Sequence, residues 1–339
     1  HIHSYLEEHS VLTDHQFGFR PGRSTVDQLL LVYNDVSQAL DEGSTVDVIL
    51  FDYSKAFDVV NHNILLTKLR LLGIDGLLLD WISSFLSHRT LQVGVMGRLS
   101  SPKAVLSGVP QGSVLGPLLF LVFINHVASQ LSCKHKIFAD DLKIYACLTD
   151  AGGTDPVASL QSDVDILVRT SVSWGLHLNA SKCVVLRFSR SSQNQERLSP
   201  YILNGNQLPF VSSHPDLGVT VDSSLKFHQH IESVAHKASG LCHSFLKSTV
   251  CRSPDFMTSL FKTHVRPVIE YGSCLWNTGY VGDARKLERV QRRWTKRVES
   301  FSDLTYTERL NRLGLYSVQG RLTRAELIMY WKIVNGHSC

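Results

Sequence analysis

The stretch KHKIFADDLKIYA, residues 134–146, sets two aspartates side by side, Asp140 and Asp141, between two short runs that alternate apolar and polar. Such alternation predicts two strands, with Ala139 to Asp141 at the tip of a β-hairpin. Adjacent carboxylates repel each other. Taken alone, an Asp–Asp pair is most simply a turn, because Asp tolerates turn conformations. A third carboxylate changes the weighing. Asp52 follows VDVILF (46–51), a β-branched run that reads as a strand. By itself it could be the N-cap of a helix just after the strand. If that strand and the hairpin are neighbours in one sheet, Asp52, Asp140 and Asp141 converge at one edge. Clustered carboxylates become affordable when a divalent cation sits among them. Oxygen-only ligation favours Mg²⁺ or Mn²⁺ over zinc. Carboxylates holding two such ions roughly 3.5–4 Å apart suit in-line phosphoryl transfer, one ion activating the attacking oxygen and both stabilising the developing charge.

The elements that must position these groups follow from pattern. NILLTKLRLLG (63–73) has helical spacing and stops at Gly73. TLQVGVMG (90–97) alternates and reads as a strand. SGVPQGSVLGP (107–117) is a Gly- and Pro-rich loop leading into an apolar helix over 114–131. DPVASLQSDVDILVRTSVSWG (155–175) predicts an amphipathic helix, with Val157, Leu160, Val164, Leu167 and Val168 on one stripe. Strands are expected around CVVLRFS (183–189), PYILNG (200–205) and DLGVTVD (216–222), and an exposed loop over 189–199. From about His228 the pattern becomes helical, in IESVAHKASGLCHSFLKSTV, PDFMTSLFKTHVRPVIEYGSCLW and DARKLERVQRRWTKRVES. The change from mixed α/β to mostly α falls near residue 223.

Composition narrows the class. With 339 residues, 43% of them hydrophobic, the chain can bury a sizeable core in two or three domains. A net charge of +4 does not by itself establish a nucleic-acid partner, so the distribution of charge decides. The most apolar run, VLGPLLFLVFI (114–124), is too short to span a bilayer, and no membrane association is expected. Seven scattered cysteines without a CxxC pair argue against a disulfide framework or structural zinc, and for an intracellular, reducing compartment. None of the 16 histidines shows an HExxH-like spacing. The start at His1, inside helical pattern, suggests a fragment.

VILFDYSKAFDVVNHNILLTKL, LSGVPQGSVLGPLLFLVFIN, KIFADDLKIYA and WGLHLNASKCVVLRFS occur in the order of palm motifs A, B, C and D of reverse transcriptases. Their wording resembles that of non-LTR, LINE-type retrotransposons, the jockey-like group in particular. HQFGFRPGRSTVDQLL (15–30) resembles the fingers motif of these enzymes; THVRPVIEYGSCLWN and KLERVQRRWTKRV resemble the region after the palm. The resemblance implies an α+β, right-hand polymerase fold: partial fingers over 1–45, an antiparallel-sheet palm over 46–223 with an inserted fingers segment at about 62–107, and a helical thumb and linker over 224–339. It implies RNA-directed addition of dNTPs to a primer 3′-OH, with an RNA template, a DNA primer or target, two Mg²⁺ (or Mn²⁺) ions, and residence in nucleus and cytoplasm.

It also implies roles. Asp52 and Asp140 are the main metal ligands, Asp141 supports them, and the backbone carbonyl of Tyr53 is a further ligand. Phe57, five residues after Asp52, is the aromatic that blocks a ribose 2′-OH; without the motif, core packing is its plainer reading. Asp58 is expected to cap or brace the following helix. Pro110, Gln111 and Gly112 line the nascent base pair, where glycine lets backbone approach a nucleotide. Lys182 stands near the leaving pyrophosphate as charge partner or proton donor. Arg20 and Arg23 are both candidates for the incoming triphosphate. DLGVTVD resembles the motif E strand. The helix around 285–298 carries Arg285, Lys286, Arg289, Arg292, Arg293, Lys296 and Arg297, with Leu287, Val290, Trp294 and Val298 as its packed stripe. Arg289, Arg292, Arg293, Lys296 and Arg297 then suit a nucleic-acid backbone, or merely a solvated face. Two rivals remain: a group II intron-type enzyme, which shares GFRPGRS, and a catalytically silent remnant that only grips nucleic acid. Members of the family usually carry an earlier fingers block before the position that His1 holds here.

Overall fold

A computed structural model describes residues 1–148, 155–190 and 200–338; the expected loop over 189–199 lies mostly outside them. The chain forms two compact units, one of residues 1–24 and 35–211, the other of 25–34 and 212 onward.

The first unit is built on a sheet. Its elements are α1 (Ile2–Glu8), the second part of α2 (Thr25–Asp41), β1 (Val46–Phe51), α3 (His62–Leu71), α4 (Gly76–Leu86), β2 (Thr90–Leu91), β3 (Gly94–Val95), β4 (Arg98–Leu99) and β5 (Lys103–Ala104). There follow α5 (Leu115–Ile124), β6 (Lys134–Phe138), β7 (Asp141–Cys147), α6 (Pro156–Trp174), β8 (Val184–Phe188), β9 (Ile202–Leu203), β10 (Asn206–Gln207) and β11 (Phe210–Val211). The five-stranded sheet runs β11-β8-β1-β7-β6. It is antiparallel, as expected for the palm, except where the short β11 joins β8 in parallel. All six β1 residues are buried, so the strand reads as a continuous apolar run and not as an alternation. The exception in type, Asp47, is fully paired. Arg187 on β8 grips it with two hydrogen bonds of 2.7 Å, and the Tyr201 hydroxyl donates a third at 2.9 Å.

The register matters most. Phe51 stands opposite Leu142 and Phe138 opposite Asp141, so residue 52 comes level with the tip of the β6–β7 hairpin. The α6 side chains Leu160, Val164 and Leu167 share one core with Leu65 and Leu69 of α3 and with Phe120 and Phe123 of α5. Asn61, not Asp58, caps α3, its side chain accepting from Ile64 N at 3.1 Å. The helix expected over 114–131 divides: α5 ends at Ile124 and a 3₁₀ turn carries the chain to Gln130. Asn125 marks the change, bonding the N-terminal segment at Thr13 N (2.8 Å) and Val11 O (2.7 Å). The strand expected over 90–97 is two short antiparallel ladders, β2·β5 and β3·β4. Its alternation marks an exposed hairpin, with Met96 and Gly97 both at positive φ in the turn.

The second unit comprises the first part of α2, the hairpin β12 (Ser213–Asp216) and β13 (Val219–Asp222), and helices α7 (His228–Ser248), α8 (Pro254–Leu260), α9 (Arg266–Glu270), α10 (Ser273–Trp276), α11 (Val281–Thr295), α12 (Tyr306–Leu313) and α13 (Val318–Val334). A π turn over 261–265 separates α8 from α9 just before Pro267, which has no N–H to continue an α ladder. Trp276 and Trp294 are the largest buried side chains. No helix among the described residues is long and apolar enough to cross a membrane.

Candidate active site

Asp52 leaves the end of β1 in a position fixed from both sides. Its carbonyl accepts from Asn179 N at 2.8 Å, and Ser54 N donates to His177 O at 2.8 Å. These bonds flank the bridge between Tyr53 and Leu178. In an antiparallel pair flanked this way, the intervening residue turns its own N–H and C=O to the opposite edge. The Tyr53 carbonyl therefore faces the β7 side, where the hairpin tip lies. Its ring is buried, and burial pushes the phenol up to about 12.

One carboxylate oxygen of Asp52, Oδ1, is buried with no hydrogen-bond partner. The other, Oδ2, lies 3.4 Å from Lys182 Nζ. Lys182 is delivered by a turn in NASK: Asn179 Oδ1 accepts from Ser181 N (3.2 Å) and Oγ (2.7 Å), and Lys182 N closes onto Asn179 O at 2.9 Å. The sequence thus places Lys182 beside the metal-ligand candidate Asp52.

Asp140 is half-buried, and its carboxyl is raised above the usual range, first by burial and then by the charge of Asp52. Asp141 behaves differently. It is the first residue of β7, and it is exposed. Asp140 lies in the two-residue turn between β6 and β7, next to the left-handed Ala139. Among the described residues no group of three or more His, Cys, Asp or Glu side chains is close enough to hold a metal ion. The expected convergence of three carboxylates is therefore a pair, Asp52 and Asp140, with Asp141 beside it. The donor set still suits a hard divalent cation: two carboxylates, one with an orphaned buried oxygen, and a backbone carbonyl on the same side.

Phe57 packs among aromatic rings, as its plainer reading has it. One face stacks on Phe120 at 4.0 Å and 18°, while Phe19 approaches edge-on at 6.3 Å. The ring is rigid, half-buried and held from behind. Asn61 takes the capping role expected of Asp58, whose carboxylate turns to another loop. Asp58 accepts from Gln111 Nε2 at 2.8 Å, and its carbonyl accepts from Ser107 Oγ at 2.9 Å, so it moors the loop that carries Pro110, Gln111 and Gly112. In that loop the glycine demanded by close packing is Gly108: a Cβ there would lie 2.6 Å from Asp58 O. Gly112, at φ +77, has open space beside it.

The two arginines are engaged within the chain. Arg20 is almost buried, donating to Glu7 (Nε to Oε1, 2.8 Å) and to Thr13 O (2.7 Å). That pairing holds the Glu7 carboxyl below its usual range. Arg23 lies over the Phe17 ring at 5.1 Å and bonds Asp14 Oδ1 (2.7 Å) and Gln16 O (3.2 Å). In this structure both fasten the 7–23 segment, and neither is a free guanidinium awaiting a phosphate.

In the second unit, Leu287, Val290 and Trp294 of α11 are buried as its spacing predicts, together with Asp283, Gln291 and Thr295; the helix ends at Thr295, so Val298, also buried, lies beyond it. The basic residues of α11 and of the turn just after it do not share one environment. Arg293, Lys296 and Arg297 line a groove of about 620 Å³ with His243 and Ser239 of α7. Arg292 instead stacks over Tyr306 at 4.2 Å, and Lys286 pairs with Asp283 at 3.0 Å. Arg289 is exposed.

Residues 1–228 match the family described as reverse transcriptase (RNA-dependent DNA polymerase). The chain belongs to the reverse transcriptase family. It is 33% identical over 232 residues to the RNA-directed DNA polymerase from mobile element jockey of Drosophila funebris, covering 65% of this chain and 24% of that protein. It is 27% identical over 345 residues to the probable RNA-directed DNA polymerase from transposon BS of Drosophila melanogaster, covering 95% and 36%. The chain thus spans about a quarter to a third of these relatives. Among solved structures it is similar to telomerase from Candida albicans in complex with a TWJ fragment of telomeric RNA, with a TM-score of 0.49 and 13% identity over 93% of this chain and 58% of that one. The mobile-element relatives favour the non-LTR reading over an intron-encoded reverse transcriptase.

Proposed function

We propose that this chain is the polymerase core of a non-LTR retrotransposon reverse transcriptase, adding dNTPs to a primer 3′-OH under the direction of an RNA template. The observation that carries the reading is the Asp52–Asp140 pair at one sheet edge, with the buried Asp52 Oδ1 lacking any partner. Asp52, Asp140 and the Tyr53 carbonyl would hold divalent cations, Mg²⁺ or Mn²⁺, with Asp141 in support. When bound, such ions supply activation of the attacking oxygen and stabilisation of phosphoryl charge. The chain's own residues do the rest. Lys182, more than half exposed, can leave Asp52 and offer its charge or a proton to the departing pyrophosphate. Phe57, braced by Phe120, excludes a 2′-hydroxyl by shape. The loop at Pro110, Gln111 and Gly112, moored on Asp58, supports the nascent pair. Arg23 reaches a triphosphate only by giving up Asp14, and Arg20 by giving up Glu7. The groove at Arg293, Lys296 and Arg297 is suited to a phosphate backbone. Free cysteines among the described residues fit a reducing compartment, and nucleus and cytoplasm are the proposed locations.

The test is primer extension on an RNA template with dNTPs and Mg²⁺, using the chain, Asp52→Asn and Asp140→Asn. Extension by the parent and none by either variant is expected. Extension by a variant at the parental rate would remove the carboxylate pair from the chemistry.

A further inference from the structure

The hairpin tip that carries Asp140 is not held by its own turn alone. Ala139 adopts a left-handed backbone, φ +57, which any residue with a Cβ disfavours. Something must over-determine that conformation. The partner comes from far away in sequence. Gln16 is 2% exposed, and its Oε1 accepts from Ala139 N at 2.9 Å and from Gly18 N at 2.8 Å. Its Nε2 faces Ala139 O at 3.5 Å, the limit of a hydrogen bond. The backbone strengthens the join: Phe17 N donates to Ile137 O at 2.8 Å and Ile137 N to His15 O at 2.9 Å, so 15–17 lies parallel along β6. Gly18 then closes on the tip. A Cβ at that position would sit 2.5 Å from Ala139 N, a backbone atom that cannot yield without moving the turn.

The segment 15–18 is therefore a clasp on the residue immediately before Asp140. We propose that Gln16 is a positioning residue, which sets the Asp140 carboxylate for a divalent cation by fixing the Ala139 peptide, with Gly18 as the wall that keeps the clasp shut. Gln16 does not touch the reacting atoms. Its effect runs through the turn: rotation of the Ala139 peptide swings the Cα–Cβ bond of Asp140 away from Asp52. A glutamine suits the task because one neutral amide offers an oxygen to two N–H groups without adding charge beside two carboxylates. The inference rests on reading Asp52 and Asp140 as a cation-holding pair.

The experiment uses the full chain and Mn²⁺ as probe, with free Mn²⁺ followed by electron paramagnetic resonance, and amide hydrogen exchange at Ala139 as a second readout. Gln16→Met keeps the length and removes the acceptor; Gln16→Glu keeps an acceptor oxygen. The Met variant is expected to bind Mn²⁺ roughly tenfold or more weakly, the usual cost of losing a group that orients a metal ligand, and to lose protection at the Ala139 amide. In primer extension kcat should fall while the KM for dNTP stays. Gln16→Glu should keep the exchange protection. Gly18→Ala, with Gln16 intact, should reproduce the Met pattern by pushing the tip aside. A folded Gln16→Met with parental Mn²⁺ affinity overturns the proposal. If that variant does not fold, Gly18→Ala with parental affinity overturns it, as does fast exchange at Ala139 in the unaltered chain. Parental Mn²⁺ affinity in Asp52→Asn would instead sink the cation-pair reading, leaving the clasp itself to the exchange measurement.

Discussion

Strand β1 carries an aspartate near each end, and the two are treated in opposite ways. Asp47 is fully buried, forked by Arg187 and bonded by Tyr201, while the Arg187 guanidinium also lies over the Phe210 ring at 4.5 Å. Asp52, just past the strand's other end, is partly exposed, keeps one loose lysine contact and leaves Oδ1 without a partner. Both cations come from the same stretch of chain, Arg187 within β8 and Lys182 just before it. The contrast separates a carboxylate satisfied for the fold from one left unsatisfied for a ligand. A planar fork matches a carboxylate on two bonds; a lysine on a flexible stem makes one and can depart.

The largest expected effect breaks the Asp52 side. Asp52→Asn should abolish nucleotide addition, since a neutral amide is a weaker ligand for a hard cation, while thermal unfolding stays near the parent. If instead Asp52→Asn melts early and still extends primers, the two ends of β1 have been assigned the wrong way round. Asp47→Ala is the mirror experiment. It strands the Arg187 charge in the sheet and should lower stability by about 3–5 kcal/mol, as breaking a buried ion pair does; urea unfolding measures it. A loss below about 1 kcal/mol would mean the pair is dispensable. Next comes Lys182→Ala. Its contact is too exposed for a measurable stability change, but the rate should fall by about 10² if it donates a proton. Single-turnover kinetics across pH distinguishes this from a charge effect alone.

Phe57→Ala sharpens the comparison within the aromatic stack. It should raise ribonucleotide use relative to deoxyribonucleotide use, read as a ratio of kcat/KM values. An unchanged ratio with dNTP addition preserved would return Phe57 to packing against Phe120. The smallest effect is expected on the second unit. Changing Arg293 and Arg297 to Ala should weaken binding similarly for all sequences and flatten the dependence of log affinity on log salt, by roughly 0.7–0.9 for each phosphate that is no longer neutralised. Equal slopes for variant and parent would make the groove a solvated face.

Legibility in the sequence followed the range of the interaction. The hairpin around Asp140 is visible because alternation and a turn are local signals, and the stripe of α11 because helical spacing is. Asp47 is invisible as an ion pair: VDVILF reads as an apolar strand, and its cation lies 140 residues away. The Asp52–Lys182 contact spans 130 residues and was not visible in the sequence, where the motif order marked each residue separately. Arg20 and Arg23 looked available because nothing near them in sequence announces Glu7 and Asp14 as partners. Helices α4 and α13 carry large apolar side chains on the outside, such as Leu77, Trp81, Tyr330 and Trp331, which blur the stripe that would reveal them. Gln16 gave no signal, since a buried glutamine is written like an exposed one.

The order of strands in the sheet has a consequence for synthesis. β1 is central, yet both neighbours are made much later, β7 about a hundred residues on and β8 later still. At about 5–20 residues per second, the ribosome leaves β1 with two open edges for on the order of ten seconds. An apolar strand in that state is a template for pairing with another nascent copy. A chaperone that shields residues 46–51 until Phe188 has emerged would therefore raise the yield of folded chain more than one acting after release.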